Sequence, residues 1–388
     1  MKRETTPWLP EFGEGEITRA ATILSSLLRG ALDSGRMVSL GLSGGMDSRL
    51  LLAMLMGIEN RGFTVHTFGD ALDPDVRTSS VIANTLGLEW KHFDEPLPDV
   101  DSMMSMARQF AAQLCLVEPV SSFLKLRYYP ALHRQGRLMI DGGFGEIARR
   151  QYLNRVARLG RSALRLRDTK RLFSLMRVDR GDIFNPDVKE VMKRGAHESL
   201  ERVLSSLPPV SEIGVENSVD LLAIRTRVPN YGAPEQARLD ADVINFMPLI
   251  QPSFLRPAFS ARTTLRSSGW FYRNLIRAHC APLAGFPLVK SGITYGFGLS
   301  TSAAWLLTKV KSKLGQSFVD PTPGRFLMQG REYILDLAHS SDVAEWPPYD
   351  SRKIRSAVDA YFRKRNAKLR STVDWWITFE LWRRSLSG

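Results

Sequence analysis

The sequence has few cysteines and no long apolar run. Its 388 residues include two cysteines, Cys115 and Cys280, which form no C-x-x-C pair. This argues against a disulfide framework and indicates a reducing compartment. No apolar run approaches the roughly 20 residues of a bilayer-spanning helix, and the polar N-terminal stretch shows no signal-peptide pattern. The six histidines show no metal-ligand spacing. We therefore expect a cytoplasmic protein without a transmembrane segment.

The charge balance is basic, with 53 lysines and arginines against 40 acids and a formal net charge of +13. Eleven basic residues fall between Arg149 and Arg180, against two acids, Asp168 and Asp179. This basic segment predicts either solvated helix faces or a surface for an anionic partner. The anionic partners that would suit it are RNA, a lipid head group, a polysaccharide and an acyl carrier. No nucleic-acid-binding module accompanies the charge.

The stretch from Val38 to Leu52, VSLGLSGGMDSRLLL, combines a strand, a glycine turn and a helix start. The two glycines let main-chain N–H groups approach an anion, and the helix start adds unpaired N–H groups. Ser43 and Ser48 add hydroxyl donors. The turn lacks the lysine of a Walker A loop. Because a carboxylate beside phosphates needs a cation between them, we expect Asp47 to bind Mg²⁺. The alternative is an Asp helix cap after a plain turn.

The string SGGMDS resembles the pyrophosphate loop of the N-type ATP pyrophosphatases. The longer LGLSGGMDSRLLLAML resembles the synthetase domain of asparagine synthetase and its relatives, β-lactam synthetase, carbapenam synthetase and lasso-peptide cyclases. Those enzymes adenylate a carboxylate, release pyrophosphate and let an amine attack to form an amide. The resemblance implies ATP and Mg²⁺ as cofactors. It assigns nucleotide binding to Leu42, Ser43, Gly44, Gly45, Asp47, Ser48, Gly69 and Gly142.

A second turn, Asp141-Gly142-Gly143-Phe144-Gly145-Glu146, follows a predicted strand. It resembles the family turn S-G-E-G-S-D-E, whose Asp is a second Mg²⁺ ligand, and a gap-free alignment gives that role to Glu146. The alternative is a tight loop with a solvated Glu. Gly143, or Phe144 after a one-residue shift, stands where the family has a catalytic Glu or Tyr. Either the amine needs no acid/base group, or another residue supplies it; the candidates are Tyr152, Glu235 and Asp240.

The segment Phe286–Gly298 resembles the family's late L-P-x-x-x-x-x-x-K-x-G-F segment, whose lysine lies over the active site. The resemblance implies that Lys290 stabilises negative charge during adenylation and amide formation. The alternative is an exposed loop lysine. The segment Asn245–Gln251 resembles E-x-R-x-P-F-L-D but keeps only the proline and the apolar positions, which suggests a different acceptor or donor.

Hydrophobic spacing predicts alternating strands and helices in the first 150 residues, and therefore an α/β fold with a parallel sheet. The predicted strands are Met37–Leu42, Thr64–Gly69, Leu88–Phe93 and Arg137–Gly142, and the predicted helices are 17–34, 75–86, 101–117 and 119–135. We expect an adenine-nucleotide-α-hydrolase-like core at 1–150, with helices on both faces of the sheet. The pattern from 151 to 388 is helical and forms either a second part or a continuation of one domain. Helices carrying Trp270, Tyr272 and Arg273, and Trp375, Trp376, Phe379 and Trp382, are expected to pack into the core, although the first group could also line a substrate pocket.

These observations predict an ATP-dependent carbon–nitrogen ligase. The chain starts almost at the synthetase domain and has no cysteine near Met1. We therefore expect the amine to be free ammonia, to come from a separate glutaminase, or to be carried by the substrate. The expected carboxylate is a specialised metabolite, a peptide or a sugar acid. Two alternatives stay open, an enzyme that modifies tRNA and a non-catalytic ATP-binding homologue.

Overall fold

The computed structural model describes residues 14–59, 62–94, 96–113, 116–178, 180 and 182–386. Cys115, Asp179 and the polar stretch 1–13 lie outside the described residues. None of the helices within these ranges is long and apolar enough to cross a membrane.

A five-stranded sheet forms the centre of the fold, with the strand order β3-β2-β1-β4-β5 and parallel pairing throughout. The strands are β1 (Met37–Gly41), β2 (Phe63–Phe68), β3 (Trp90–Phe93), β4 (Arg137–Ile140) and β5 (Ile244–Phe246). A separate antiparallel hairpin joins β6 (Leu288–Lys290) to β7 (Ile293–Tyr295). The chain adds β2 and β3 on one side of β1 and then β4 and β5 on the other side, so the direction in which the sheet grows switches between β1 and β4. Ligands of open α/β sheets bind at the carboxyl ends of the strands beside such a switch point.

Helices cover both faces of the sheet and make up most of the second half. They are α1 (Glu14–Leu32), α2 (Met46–Met56), α3 (Pro74–Thr85), α4 (Val100–Gln113), α5 (Phe123–Leu126), α6 (Tyr129–Arg134), α7 (Gly145–Ala148), α8 (Asn154–Leu159), α9 (Arg161–Arg165), α10 (Thr169–Met176), α11 (Pro186–Ser206), α12 (Val210–Arg227), α13 (Ala233–Asp242), α14 (Pro252–Ser260), α15 (Thr263–Ser268), α16 (Trp270–His279), α17 (Thr301–Lys313), α18 (Thr322–Gln329), α19 (Arg331–His339), α20 (Ser341–Glu345), α21 (Ser351–Lys364) and α22 (Ala367–Ser385). A π-helical turn, Val228–Gly232, joins α12 to α13.

The core explains why these segments fold as they do. Val38 and Leu40 of β1 are buried in a cluster that includes apolar residues of α1, α2, α14 and α16 on one face of the sheet. On the opposite face, Tyr129 and Leu132 of α6 pack with Met139 of β4. A further cluster joins α4 to α18–α22 and contains the buried Trp376. The predicted α/β fold, with a parallel sheet between helices and a largely helical second half, is confirmed.

Two predictions about secondary structure were wrong. The helical pattern after residue 150 conceals β5, β6 and β7, which have three residues each and are too short to show the alternation of a strand. The predicted helix 119–135 is broken into a 3₁₀ turn, Val120–Ser122, followed by α5 and α6. Pro130 lies in the first turn of α6, where its missing N–H is tolerated. Because β5 belongs to the second half, the two predicted parts share one sheet.

Candidate active site

The turns that follow β1 and β4 interlock at the switch point. A Cβ atom on Gly142 would lie 2.9 Å from the Ser48 nitrogen, and one on Gly145 would overlap Asp47 Oδ1. Glycine permits these approaches because it has no Cβ atom. The structure thus brings Asp47 and Gly142 together, and Glu146 lines the same cleft of about 470 Å³.

The loop Ser43–Ser48 is held by its own side chains. Ser48 Oγ accepts a hydrogen bond from the Ser43 N–H at 3.1 Å and lies 2.9 Å from Ser43 Oγ, which itself accepts from the Gly45 N–H. The Gly44 N–H donates to Asp75 Oδ1 at 2.8 Å. Gly45 caps α2 without a side-chain hydrogen bond, so the amino end of this 11-residue helix faces the cleft uncapped. An anion in the cleft would therefore meet the helix end, while the Gly44 N–H already has a carboxylate partner.

A buried arginine fixes this loop to the segment that carries Lys290. Arg49 is fully buried, and its guanidinium donates to the carbonyls of Phe286 and Pro287 at 2.8 and 2.7 Å and to that of Gly44 at 3.2 Å. The Val289 N–H also donates to the Gly44 carbonyl, at 2.9 Å. Burial lowers the pKa of Arg49 to about 10, which leaves it charged at neutral pH. The loop and the Lys290 hairpin therefore form one unit.

The cleft has an acidic wall. Five carboxylates line it: Asp47, Asp73, Asp75, Asp141 and Glu146. Burial raises the pKa of Asp141 and of Glu146, and the charge of Asp47 raises both further. No three His, Cys, Asp or Glu side chains among the described residues are arranged to hold a metal ion by themselves. Such a wall would repel the phosphates of a nucleotide unless cations accompany them.

Arg149 is the cation in direct contact with Asp47. Its Nε donates to Asp47 Oδ1 at 2.8 Å, and its Nη2 donates to Oδ2. Both side chains are only about 15% exposed. Removing either charge would therefore leave the other buried without this partner. The role of Asp47 as a Mg²⁺ ligand stays a prediction. Asp47 could bind Mg²⁺ while it accepts from Arg149, because each carboxylate oxygen has a second lone pair.

Lys290 is the last residue of β6. Burial lowers its pKa; the charge of Arg149 lowers it further, and the charge of Glu146 acts in the opposite direction. The side chain is partly buried and makes no hydrogen bond or ion pair with the residues that the structure describes. It lines a second cleft of about 540 Å³. The predicted catalytic lysine is therefore a half-buried cation close to the carboxylates of the first cleft.

Positions 143 and 144 of the turn after β4 supply no proton-transfer group. Phe144 adopts a left-handed conformation (φ 62°) and is buried, with its ring 6.4 Å from Tyr152 and 6.2 Å from Tyr231. Gly143 packs so closely that a Cβ atom there would lie 2.7 Å from Met247 Sδ. The absence of an acid/base residue at 143 and 144 thus reflects a turn built on apolar packing.

The three candidates for the acid/base role differ sharply in environment. Burial raises the pKa of Tyr152 far above neutrality, so its hydroxyl keeps its proton. Asp240 is exposed, and its carboxylate accepts from Gln236. Burial raises the pKa of Glu235 to about 7, with a further contribution from Glu118. Of the three, Glu235 is the group that can exchange a proton at neutral pH.

Other predicted residues lie around the site. Gly69 (φ 131°) lines a smaller cavity of about 190 Å³ beside the main cleft. Tyr272 is buried and donates to the Gly145 carbonyl at 3.1 Å, so it supports the β4 turn. Arg273 is also buried and donates to the carbonyls of Phe297 and Leu299. Tyr272 and Arg273 therefore belong to the core.

The basic segment folds mainly into α8, α9 and α10, which pack against α11 and α12. Its first two arginines point inward: Arg149 contacts Asp47, and Arg150 pairs with the buried Asp220 at 3.3 Å. Exposed arginines of α8 and α9 remain at the surface. Arg149 and Arg150 thus pair with carboxylates inside the protein, and an anionic partner for the exposed cations stays a prediction.

Several residues of the site were not predicted from the sequence: Arg49, Asp75, Arg149 and the carboxylate of Asp141. Arg49 stands within a leucine-rich helix, which was the available signal that it is buried. Arg149 and Asp47 are 102 positions apart, and no local pattern connects them.

Comparison with known proteins gives little. No protein-family model and no curated protein matches the chain. One solved structure that it resembles is an NH3-dependent NAD synthetase from Campylobacter jejuni subsp. jejuni NCTC 11168 in complex with the nitrate ion. The identity is 14%, the TM-score is 0.27, and the match covers 54% of this chain and 95% of that one. A likeness of this strength carries no argument about activity.

Proposed function

We propose that this chain is an ATP-dependent ligase that forms amide bonds. A carboxylate oxygen of the substrate attacks the α-phosphorus of ATP and pyrophosphate leaves. An amine nitrogen then attacks the acyl carbon, the C–N bond forms, AMP leaves and the nitrogen loses a proton. The observation that supports this proposal best is the junction at the switch point. There an uncapped helix end and five carboxylates lie around the carboxyl ends of β1 and β4, and the charge of Glu146 acts on Lys290 in the neighbouring cleft.

The carboxylates fit Mg²⁺ that arrives with ATP. Mg²⁺ is typically held by one or two carboxylates plus phosphate oxygens, so the absence of a ready three-ligand cluster in the described residues is no obstacle. Asp47 and Glu146 would hold the ion. When bound, it would supply the positive charge that the phosphates need beside this acidic wall. Lys290 would stabilise charge that develops on the α-phosphate and on the acyl oxygen.

The second cleft favours a hydroxylated substrate. Seven hydroxyl side chains, two amides and the indole of Trp305 line it together with Lys290 and Arg158. Arg158 is exposed, and its guanidinium lies 4.9 Å from the Trp305 ring centre. Hydroxyl and amide groups bind polyols, and a cation beside an aromatic ring suits a sugar acid, whose carboxylate meets the cation while the C–H face of its ring packs on the indole. A sugar acid is therefore the first carboxylate to test among the predicted substrates.

A pyrophosphate-release assay with sugar acids and ammonia tests the proposal. We expect release that depends on both ATP and the carboxylate. With carboxyl-¹⁸O substrate, one labelled oxygen should appear in AMP because the attacking oxygen stays on phosphorus. Asp47→Asn should lower the rate by at least about 100-fold, a typical loss for a group that stabilises charge in the transition state.

The matched control is Asp33→Asn, which changes an exposed carboxylate outside the cleft and should leave the rate unchanged. Thermal melting of both variants shows whether the loss is one of folding. Equal pyrophosphate release by folded Asp47→Asn and the unaltered protein would refute the assignment of Asp47. AMP without ¹⁸O would refute adenylation of the carboxylate.

Glu235 is proposed as the base that accepts the proton of the amine. The groups that act on its pKa are Glu118, Asp141 and, in the opposite direction, Arg238. Because the carboxylate form is the base, the rate of amide formation at a fixed concentration of unprotonated amine should rise as pH increases to about 7 and then level off. Glu235→Gln should lower the rate of amide formation by about 100-fold. It should also remove the increase in this rate that is centred near pH 7.

Asp240→Asn changes an exposed carboxylate on the same helix and serves as the control. It should leave both the rate and the pH profile unchanged. A Glu235→Gln variant that keeps the same pH profile would show that another group accepts the proton. Measuring pyrophosphate release in the same samples separates this step from adenylation.

A further inference from the structure

One end of the main cleft is aromatic rather than acidic. Phe68, Tyr129 and Met139 line this end, together with Leu42 and His66. His66 is 1% exposed, and its ring packs edge-on against Phe68 at 5.0 Å between centroids. His66 Nε2 has no hydrogen-bond partner in the part of the chain that the structure describes. A buried polar atom without a partner is uncommon in a folded protein and needs a reason, which for an atom of a cleft-lining residue is a bound group.

A chain of hydrogen bonds decides which His66 nitrogen carries the proton. Arg137 Nη1 donates to Thr64 Oγ1 at 2.6 Å, Thr64 Oγ1 donates to Ser39 Oγ at 3.2 Å, and Ser39 Oγ lies 2.8 Å from His66 Nδ1. A guanidinium can only donate, and each hydroxyl has one hydrogen. The hydrogen of Thr64 therefore goes to Ser39, and Nδ1 is the acceptor that the described contacts offer to the hydrogen of Ser39. The arrangement that uses both hydroxyl hydrogens places the ring proton on Nε2.

The ring is also neutral. Burial lowers the pKa of His66 to about 3, and the charge of Arg137 lowers it further. At physiological pH the imidazole carries one proton, and the hydrogen-bond chain assigns it to Nε2. The orphan atom is therefore an N–H donor, and the group that satisfies it must be an acceptor.

We propose that His66 is the residue that recognises the base of the nucleotide, with its Nε2–H donating to a ring nitrogen of adenine. This inference rests on the proposed use of ATP. The purine ring would lie among the aromatic side chains, and its unprotonated ring nitrogens are hydrogen-bond acceptors. Gly41 leaves room beside the imidazole, since a Cβ atom there would lie 3.7 Å from Nε2. The phosphates would then extend toward the helix end at Met46.

Calorimetry with the full chain tests this inference. The probes are the Mg²⁺ complexes of ATP and of 1-deaza-, 3-deaza- and 7-deaza-ATP, each of which replaces one ring nitrogen by C–H. We expect one of the three analogues to bind about tenfold more weakly than ATP, because it lacks the nitrogen that accepts from His66 and therefore loses one hydrogen bond. In His66→Phe, the same analogue and ATP should bind equally, within about twofold.

Ser39→Ala serves as a second variant because it removes less from the core. It frees Nδ1 from the Ser39 hydrogen, so the proton can move to Nδ1 and the penalty for the deaza analogue should shrink. Equal binding of ATP and all three analogues to the unaltered protein would overturn the role of His66 while leaving ATP use intact. So would a penalty that persists in folded His66→Phe. Failure of the unaltered protein to bind Mg·ATP at all would overturn the proposed function and this inference together.

Discussion

Replacing Lys290 by methionine is expected to lower the rate of pyrophosphate release by about 10²- to 10³-fold, with little change in the affinity for Mg·ATP. The reason is that Lys290 forms no ion pair with any residue that the structure describes, so its half-buried charge is available for the reacting groups. A cation aimed at charge that develops during the reaction contributes to kcat more than to ground-state binding. Steady-state kinetics and calorimetry measure the two effects separately.

Lys313→Met provides the control for charge removal. Lys313 is an exposed lysine in the last turn of α17, outside both clefts. We expect it to change neither kcat nor ATP binding. Lys290→Arg keeps the charge on a larger, planar group and should retain more activity than Lys290→Met. Loss of ATP affinity in Lys290→Met with an unchanged kcat would contradict a role in the transition state.

The second large effect is expected from Gly44→Ala. A Cβ atom at this position would overlap Val289 Cγ2 and lie 2.8 Å from Val289 Cβ. Overpacking of this kind destabilises a protein by about 1–3 kcal/mol. The variant should also separate the Lys290 hairpin from the loop, because the Val289 N–H bonds the Gly44 carbonyl. We therefore expect both a lower melting temperature and a loss of activity of at least about 100-fold, since small displacements of catalytic groups have large effects.

A double-mutant cycle makes this prediction specific. Val289→Ala removes the Cγ2 atom that the new side chain overlaps and keeps only the Cβ contact at 2.8 Å, so Gly44→Ala/Val289→Ala should be more stable than the sum of the two single changes predicts. Gly30→Ala, in α1 with open space around it, should be neutral or slightly stabilising. Strict additivity of the Gly44 and Val289 changes would refute the packing explanation.

The sequence predicts well what depends on local pattern. The first four strands, α3 and α4 were expected near their observed positions because the alternation of strands and helices is long and regular there. The turn Ser43–Ser48 was recognised for the same reason, since its strand, glycines and helix are contiguous. Lys290 was singled out by a contiguous motif as well, and its catalytic role stays a prediction.

What the sequence did not predict depends on contacts between distant segments. Arg49 resembles any helical arginine until the carbonyls of Phe286 and Pro287 are placed beside it. The pairing of Asp47 with Arg149 requires β1 and β4 to be neighbours, and the unpaired nitrogen of His66 requires the register of β1 and β2. The choice of Glu235 over Tyr152 and Asp240 needed their burial, which composition does not give.

The fifth strand has a consequence for how the chain folds during synthesis. β4 ends at Ile140, but β5, which covers its free edge, begins at Ile244. At about 5–20 residues per second, a ribosome needs about 5–20 s to make the intervening hundred residues. During that time the nascent sheet presents an unpaired edge, which is a hazard for aggregation. The nascent chain should therefore depend on chaperones until β5 has emerged, although the finished sheet has β4 in its interior.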